Sequence, residues 1–66
     1  MLSARNQFRD TVQSVKVGNI MAEVVVKVGD LEIVSAITRS SVERLGLKVG
    51  DTVTAVIKAT EVLIDK

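Results

Sequence analysis

The sequence predicts an all-β domain with one short helix, closed as a small five-stranded barrel. Three observations lead there. Apolar and polar residues alternate through most of the chain, which is the period of half-buried strands. The apolar residues are mainly β-branched, with 13 Val and 5 Ile against one Phe and no Tyr or Trp. Glycine-containing pairs that suit tight turns, Gly18-Asn19, Gly29-Asp30 and Gly50-Asp51, separate the alternating stretches.

The elements follow in order. The opening run Leu2 to Phe8 alternates weakly, as does Thr11 to Val17, which ends at Gly18-Asn19. Ile20 to Val28 alternates well. Ile20, Ala22, Val24, Val26 and Val28 share one face, and Met21, Glu23, Val25 and Lys27 share the other. Val25 on the otherwise polar face implies that this side is partly covered too. After Gly29-Asp30, Leu31, Ile33, Ser35 and Ile37 alternate with Glu32, Val34, Ala36 and Thr38. Beyond Gly50-Asp51, Val53, Ala55 and Ile57 alternate with Thr54, Val56 and Lys58, and Val62 to Ile64 reads as a short last strand. The tetrapeptide Lys-Val-Gly-Asp occurs at 27–30 and again at 48–51, as turn chemistry used twice.

One segment, Ser40 to Leu47, breaks the alternation and reads as a short helix. Ser40 and Glu43 have the spacing of a capping box, in which each side chain satisfies a backbone N–H. Val42 and Leu45 fall on one face. Gly46 suits the left-handed position that ends a helix, with Leu47 folding back over the last turn. Strands, one interposed helix, then strands is the order of an OB-like barrel.

Composition narrows the function. The chain has 66 residues and a formal net charge of +1, with no Cys, no His and no Pro. That excludes a disulfide scaffold, a Cys/His zinc site, a thiol nucleophile and Ser-His catalysis. The carboxylates are scattered singly, and no Ser-x-x-Lys run occurs on a helix to activate a hydroxyl, so no enzyme is expected. A basic groove with stacking aromatics is missing, so nucleic-acid binding on an OB-like surface is a rival reading without its usual residues. No apolar run reaches membrane-spanning length, and Met1 to Asp10 carries no secretory signal pattern. The expectation is a single cytoplasmic domain over residues 1–66. A domain this short buries only about 60% of its unfolded surface, and association between copies is the available support.

Three donor-rich clusters point to an anion. The first is Ser3-Ala4-Arg5-Asn6-Gln7. The second, Thr38-Arg39-Ser40-Ser41, lies at the expected helix start, where free N–H groups favour negative charge. The third is Lys58-Ala59-Thr60. Arg offers a planar fork to oxygens and Lys a compact charge. Each cluster also has a plain structural reading: Ser40 as a cap, Arg5 and Lys58 as surface charges, Thr60 as a turn residue. A ligand-free assembly module remains the other alternative.

The runs Ser3 to Gln7, Ala36 to Leu47 and Thr54 to Thr60, in this order and spanning essentially the whole chain, resemble the molbindins, the Mop-type molybdate/tungstate-binding family. The resemblance implies an OB-like barrel assembled as a homo-oligomer, a hexamer built as a trimer of dimers. It implies molybdate or tungstate as bound ligand between subunits, with no catalytic cofactor and no direct protein–metal ligands. Carried onto this chain, Arg5 and Lys58 supply charge, and Ser3, Thr38 and Ser41 supply hydroxyls. Backbone N–H groups near Ala4, Ala59 and Thr60 complete the shell. Many members have Ser where this chain has Ala59, so only a backbone contribution is implied there. The role implied is intracellular storage or homeostasis of the oxyanion.

Overall fold

The β-branched alternation resolves into antiparallel strands. The computed structural model describes residues 4–66. Four strands, β1 (Asn6–Val17), β2 (Met21–Val28), β3 (Leu31–Thr38) and β4 (Thr52–Ile57), form one sheet in the order β3-β2-β1-β4. Helix α1 (Arg39–Leu45) lies between β3 and β4, and a 3₁₀ turn (Ala59–Glu61) follows β4.

The two weak opening stretches merge into the single 12-residue strand β1. Its first half pairs with β4, from Asn6↔Ile57 to Thr11↔Thr52. Its second half pairs with β2, from Thr11↔Lys27 to Val17↔Ala22. The register shifts between Val12 and Ser14. This bulge leaves Gln13 without an opposite number and changes the parity of the side chains, so Val12 and Val15 both belong to the core region. That change of parity is why the alternation reads weakly here.

β2 and β3 keep the predicted faces. Ala22, Val24 and Val26 are buried, while Ile33, Ser35 and Ile37 are half-buried. Ile20 is a correction. It sits in a three-residue turn, Gly18 to Ile20, and is exposed, because Gly18 N–H donates to the Met21 carbonyl (2.8 Å) and starts the ladder one residue later. Val25 is half-buried opposite Val34, which is itself exposed, so within one chain that face is open. The hairpin Gly29-Asp30 has Gly29 at φ 58°, as a two-residue loop with Gly first requires.

The helix starts earlier than the sequence suggests. Thr38, not Ser40, is the cap: its Oγ1 accepts from Ser41 N–H at 3.1 Å. Glu43 closes no capping box and instead pairs with Arg39 one turn back, at 2.9 Å. The C-terminal end is as expected. Gly46 is left-handed at φ 61°, its N–H donates to the Glu43 carbonyl, and Leu47 N–H donates to that of Val42. Val42 is thereby pinned against the sheet, in a core with Val12, Ala22, Val24 and Val26.

The fifth strand is also a correction. Among the described residues Val62–Ile64 pairs with no strand, β3 and β4 are the edges of the sheet, and four strands are seen rather than a closed five-stranded barrel. Three apolar residues make a pattern, but a strand needs an edge beside it. The result is an incompletely covered molecule. It exposes 5391 Å², against about 4,100 Å² for a compact monomer of its mass.

Candidate functional site

Strand register decides which donor clusters meet. The pair Asn6↔Ile57 sets the start of β1 beside the end of β4, so Arg5 and Lys58 flank one corner of the sheet. Two side-chain bonds fasten it: Asn6 Nδ2 donates to the Ile57 carbonyl (3.3 Å) and Gln7 Nε2 to the Ala4 carbonyl (3.1 Å). Both amides are thus occupied by the fold, a use that only the register reveals. Ala4 is buried, and Arg5 and Lys58 are exposed. Ala59 and Thr60 lie in the 3₁₀ turn that Lys58 precedes, with Glu61 N–H donating to the Lys58 carbonyl at 2.9 Å. The first and third clusters therefore form one basic corner. Ser3 lies outside the described residues.

The second cluster is elsewhere. Thr38 pairs with Met21, beside the end of β1 where Val17 meets Ala22. Thr38 Oγ1 lies 2.7 Å from Ser41 Oγ and 3.2 Å from Ser40 Oγ, a compact knot of three hydroxyls. Asn19, Ile20, Thr38, Arg39, Ser40 and Glu43 line a shallow depression here. Asn19 and Ile20 were not legible as neighbours of the helix start. The link is the bond from Arg39 N–H to the Ile20 carbonyl at 2.7 Å, which also uses one of the helix's free amides.

The charges sort themselves accordingly. Arg39 is neutralised by Glu43, the single ion pair among the described residues. Arg5 and Lys58 carry no such partner there. The basic corner and the hydroxyl knot lie near opposite ends of β1. No cluster of His, Cys, Asp or Glu able to hold a metal ion occurs among the described residues, and no helix is long and apolar enough to cross a membrane.

Comparison with known proteins places this arrangement. The TOBE domain family model matches residues 2–64. Molybdenum-pterin-binding protein 1 of Clostridium pasteurianum is 50% identical over 64 residues, covering 96% of this chain and 94% of its own. A molybdate-binding protein from Sporomusa ovata has a solved structure that superposes with a TM-score of 0.95 at 42% identity, covering 100% of this chain and 98% of that one. The cytoplasmic molybdate-binding protein ModG, solved with molybdate bound, superposes at 0.90 and 42% identity over 96% of this chain and 45% of its own. The chain belongs to the TOBE domain family, among its Mop-type, or molbindin, members.

Proposed function

We propose that this chain binds molybdate or tungstate as a free oxyanion, in sites built between copies of a homo-oligomer. The observation that carries the reading is the separation of the two donor groups. Arg5 and Lys58 stand by register at the start of β1 and the Thr38–Ser41 hydroxyls across β2 from its end, and the reading joins the basic corner of one copy to the hydroxyl knot of another. In that cage Arg5 and Lys58 compensate the two charges, and Ser3, Thr38 and Ser41 donate hydroxyls. Backbone N–H groups at Ala4, Ala59 and Thr60 fix orientation. A buried dianion is costly unless paired and hydrogen-bonded, which favours an interface where donors from two chains converge.

The same reading takes residues 1–66 as one Mop-like unit and the assembly as a hexamer, a trimer of dimers whose barrels are closed only by association. Its role is reversible cytoplasmic storage without covalent chemistry. Selectivity over sulfate follows from pocket size, since metal–oxygen bonds are longer than sulfur–oxygen bonds. Phosphate is disfavoured because its remaining proton meets only donors.

Equilibrium dialysis with metal analysis, with sulfate as competitor, tests the proposal. Molybdate is expected to bind and to resist excess sulfate. Arg5→Ala and Lys58→Ala are each expected to weaken binding by about 1.5–3 kcal/mol, the cost of one hydrogen bond to a charged group. Unchanged affinity in both variants would put the site elsewhere.

A further inference from the structure

Asn6 and Gln7 follow Arg5 directly, yet neither is among the residues proposed to touch the anion. Their side chains are taken up by two carbonyls of the basic corner. Asn6 Nδ2 donates to the Ile57 carbonyl at 3.3 Å, across the β1–β4 register, and Gln7 Nε2 donates to the Ala4 carbonyl at 3.1 Å. Each carbonyl lies in one rigid peptide plane with the N–H of a basic residue: that of Ala4 with Arg5, that of Ile57 with Lys58. Among the described residues these are the only side-chain hydrogen bonds to this corner, and neither Arg5 nor Lys58 has a carboxylate partner.

We propose that Asn6 and Gln7 are positioning residues: they fix the peptides from which Arg5 and Lys58 project, so that the two charges meet the oxyanion at a set spacing. This rests on the oxyanion binding proposed above and adds two residues to it. Arg and Lys side chains are long and rich in rotamers, and a fixed backbone lowers the ordering that binding must otherwise supply. The residue type fits as well. An amide donates to a carbonyl, whereas an ionised Asp or Glu only accepts and would set a negative charge beside the pair that attracts the anion. Each bonded carbonyl also turns one lone pair fewer toward an anion. Asn6 has the larger part. It is half-buried, and its bond joins residues 51 positions apart, so it alone couples the first donor cluster to the third. Gln7 is exposed and steadies the Arg5 side only.

Equilibrium dialysis with molybdate tests this, on variants whose far-UV circular dichroism and native mass match those of the native protein. Asn6→Leu keeps the branching of the side chain and removes its donor; Gln7→Met does the same for an unbranched chain. Each is expected to weaken molybdate binding about fivefold to tenfold, the cost of ordering one long side chain on binding. Asn6→Gln keeps an amide donor and is expected to bind more tightly than Asn6→Leu. A double-mutant cycle separates positioning from general stabilisation. Asn6→Leu is expected to cost nothing further in a chain that already carries Lys58→Ala, and Gln7→Met nothing further in one that carries Arg5→Ala. Losses that add in full, or native affinity in both Asn6→Leu and Gln7→Met, overturn the positioning role while Arg5 and Lys58 remain the site. If Asn6→Leu does not fold, the cycle of the exposed Gln7 decides alone. If Arg5→Ala and Lys58→Ala themselves bind as the native chain does, the oxyanion site is elsewhere and the positioning role falls with it.

Discussion

Single side chains hold the site's framework through bonds that the sequence shows only as residue types. Asp10 is an example. Its Oδ2 accepts from Gly29 N–H at 3.0 Å, tying the middle of β1 to the β2–β3 hairpin. That backbone bond, with the Thr11 hydroxyl next in weight and the Lys27 charge a smaller contribution, holds the Asp10 carboxyl below its ordinary value. A carboxylate so depressed stabilises the fold fully above its unfolded pKa of about 3.9. The contribution is lost as pH falls through the lower native value. Urea midpoints at pH 7 and pH 3 are therefore expected to differ less in Asp10→Asn than in the native protein; an unchanged difference would remove Asp10 from the acid response. Thr38 caps the helix and, in the proposed site, also donates a hydroxyl. Thr38→Ala is expected to cost about 1 kcal/mol of stability through the cap, read by thermal unfolding, whereas Thr38→Asp keeps a capping oxygen and places a carboxylate where the oxyanion would sit.

At the scale of elements, the regular alternations of β2, β3 and β4 were legible because their pairing is regular. β1 was not, because its bulge changes parity at Gln13 and a period-two reading cannot follow a change of phase. The helix was found from its break in alternation and its Gly46 stop, while its start was misplaced. Ser40 and Glu43 fit a capping box by spacing, but Thr38 takes the cap and Arg39 takes Glu43. Competition between equivalent partners is settled by backbone direction, which spacing does not contain. The β1–β2 turn is a further case. Gly18 is required there by proximity rather than by dihedral angle, since a Cβ at this position would stand 2.9 Å from the Met21 carbonyl oxygen. Gly18→Ala is expected to destabilise by about 1–3 kcal/mol, as overpacking does, measured by denaturant unfolding. A neutral result would mean that the turn shifts freely and that the Arg39–Ile20 link does not hold the helix start.

For the whole molecule, the residues of the proposed site stand out in the sequence as donor clusters, but the register that joins the first and third at one corner and leaves the second on another edge strand does not. Distance along a chain says nothing of distance in a sheet: Arg5 and Lys58 are 53 positions apart yet share a corner. Thr38 and Lys58 are closer in sequence yet end β3 and follow β4, the two edge strands of the sheet. The short chain and the excess of Val and Ile lead to the expectation of association, and the exposed apolar residues Ile20, Leu31, Val34, Leu63 and Ile64 are what the proposed assembly would cover. If ligand binds only the proposed assembly, it stabilises that form by mass action, so binding and assembly become one equilibrium.

The division of the site between copies is tested most directly by mixing two defective chains. One carries Arg5→Ala/Lys58→Ala and lacks the basic corner; the other carries Thr38→Asp and has a blocked hydroxyl knot. Each alone is expected to bind little molybdate in equilibrium dialysis. Co-refolded in equal amounts, they are expected to regain about a quarter of the native capacity, because random association in a symmetric oligomer reunites intact halves at that frequency. No recovery in assemblies verified as mixed by native mass would mean that each site belongs to one chain, and the account would be wrong.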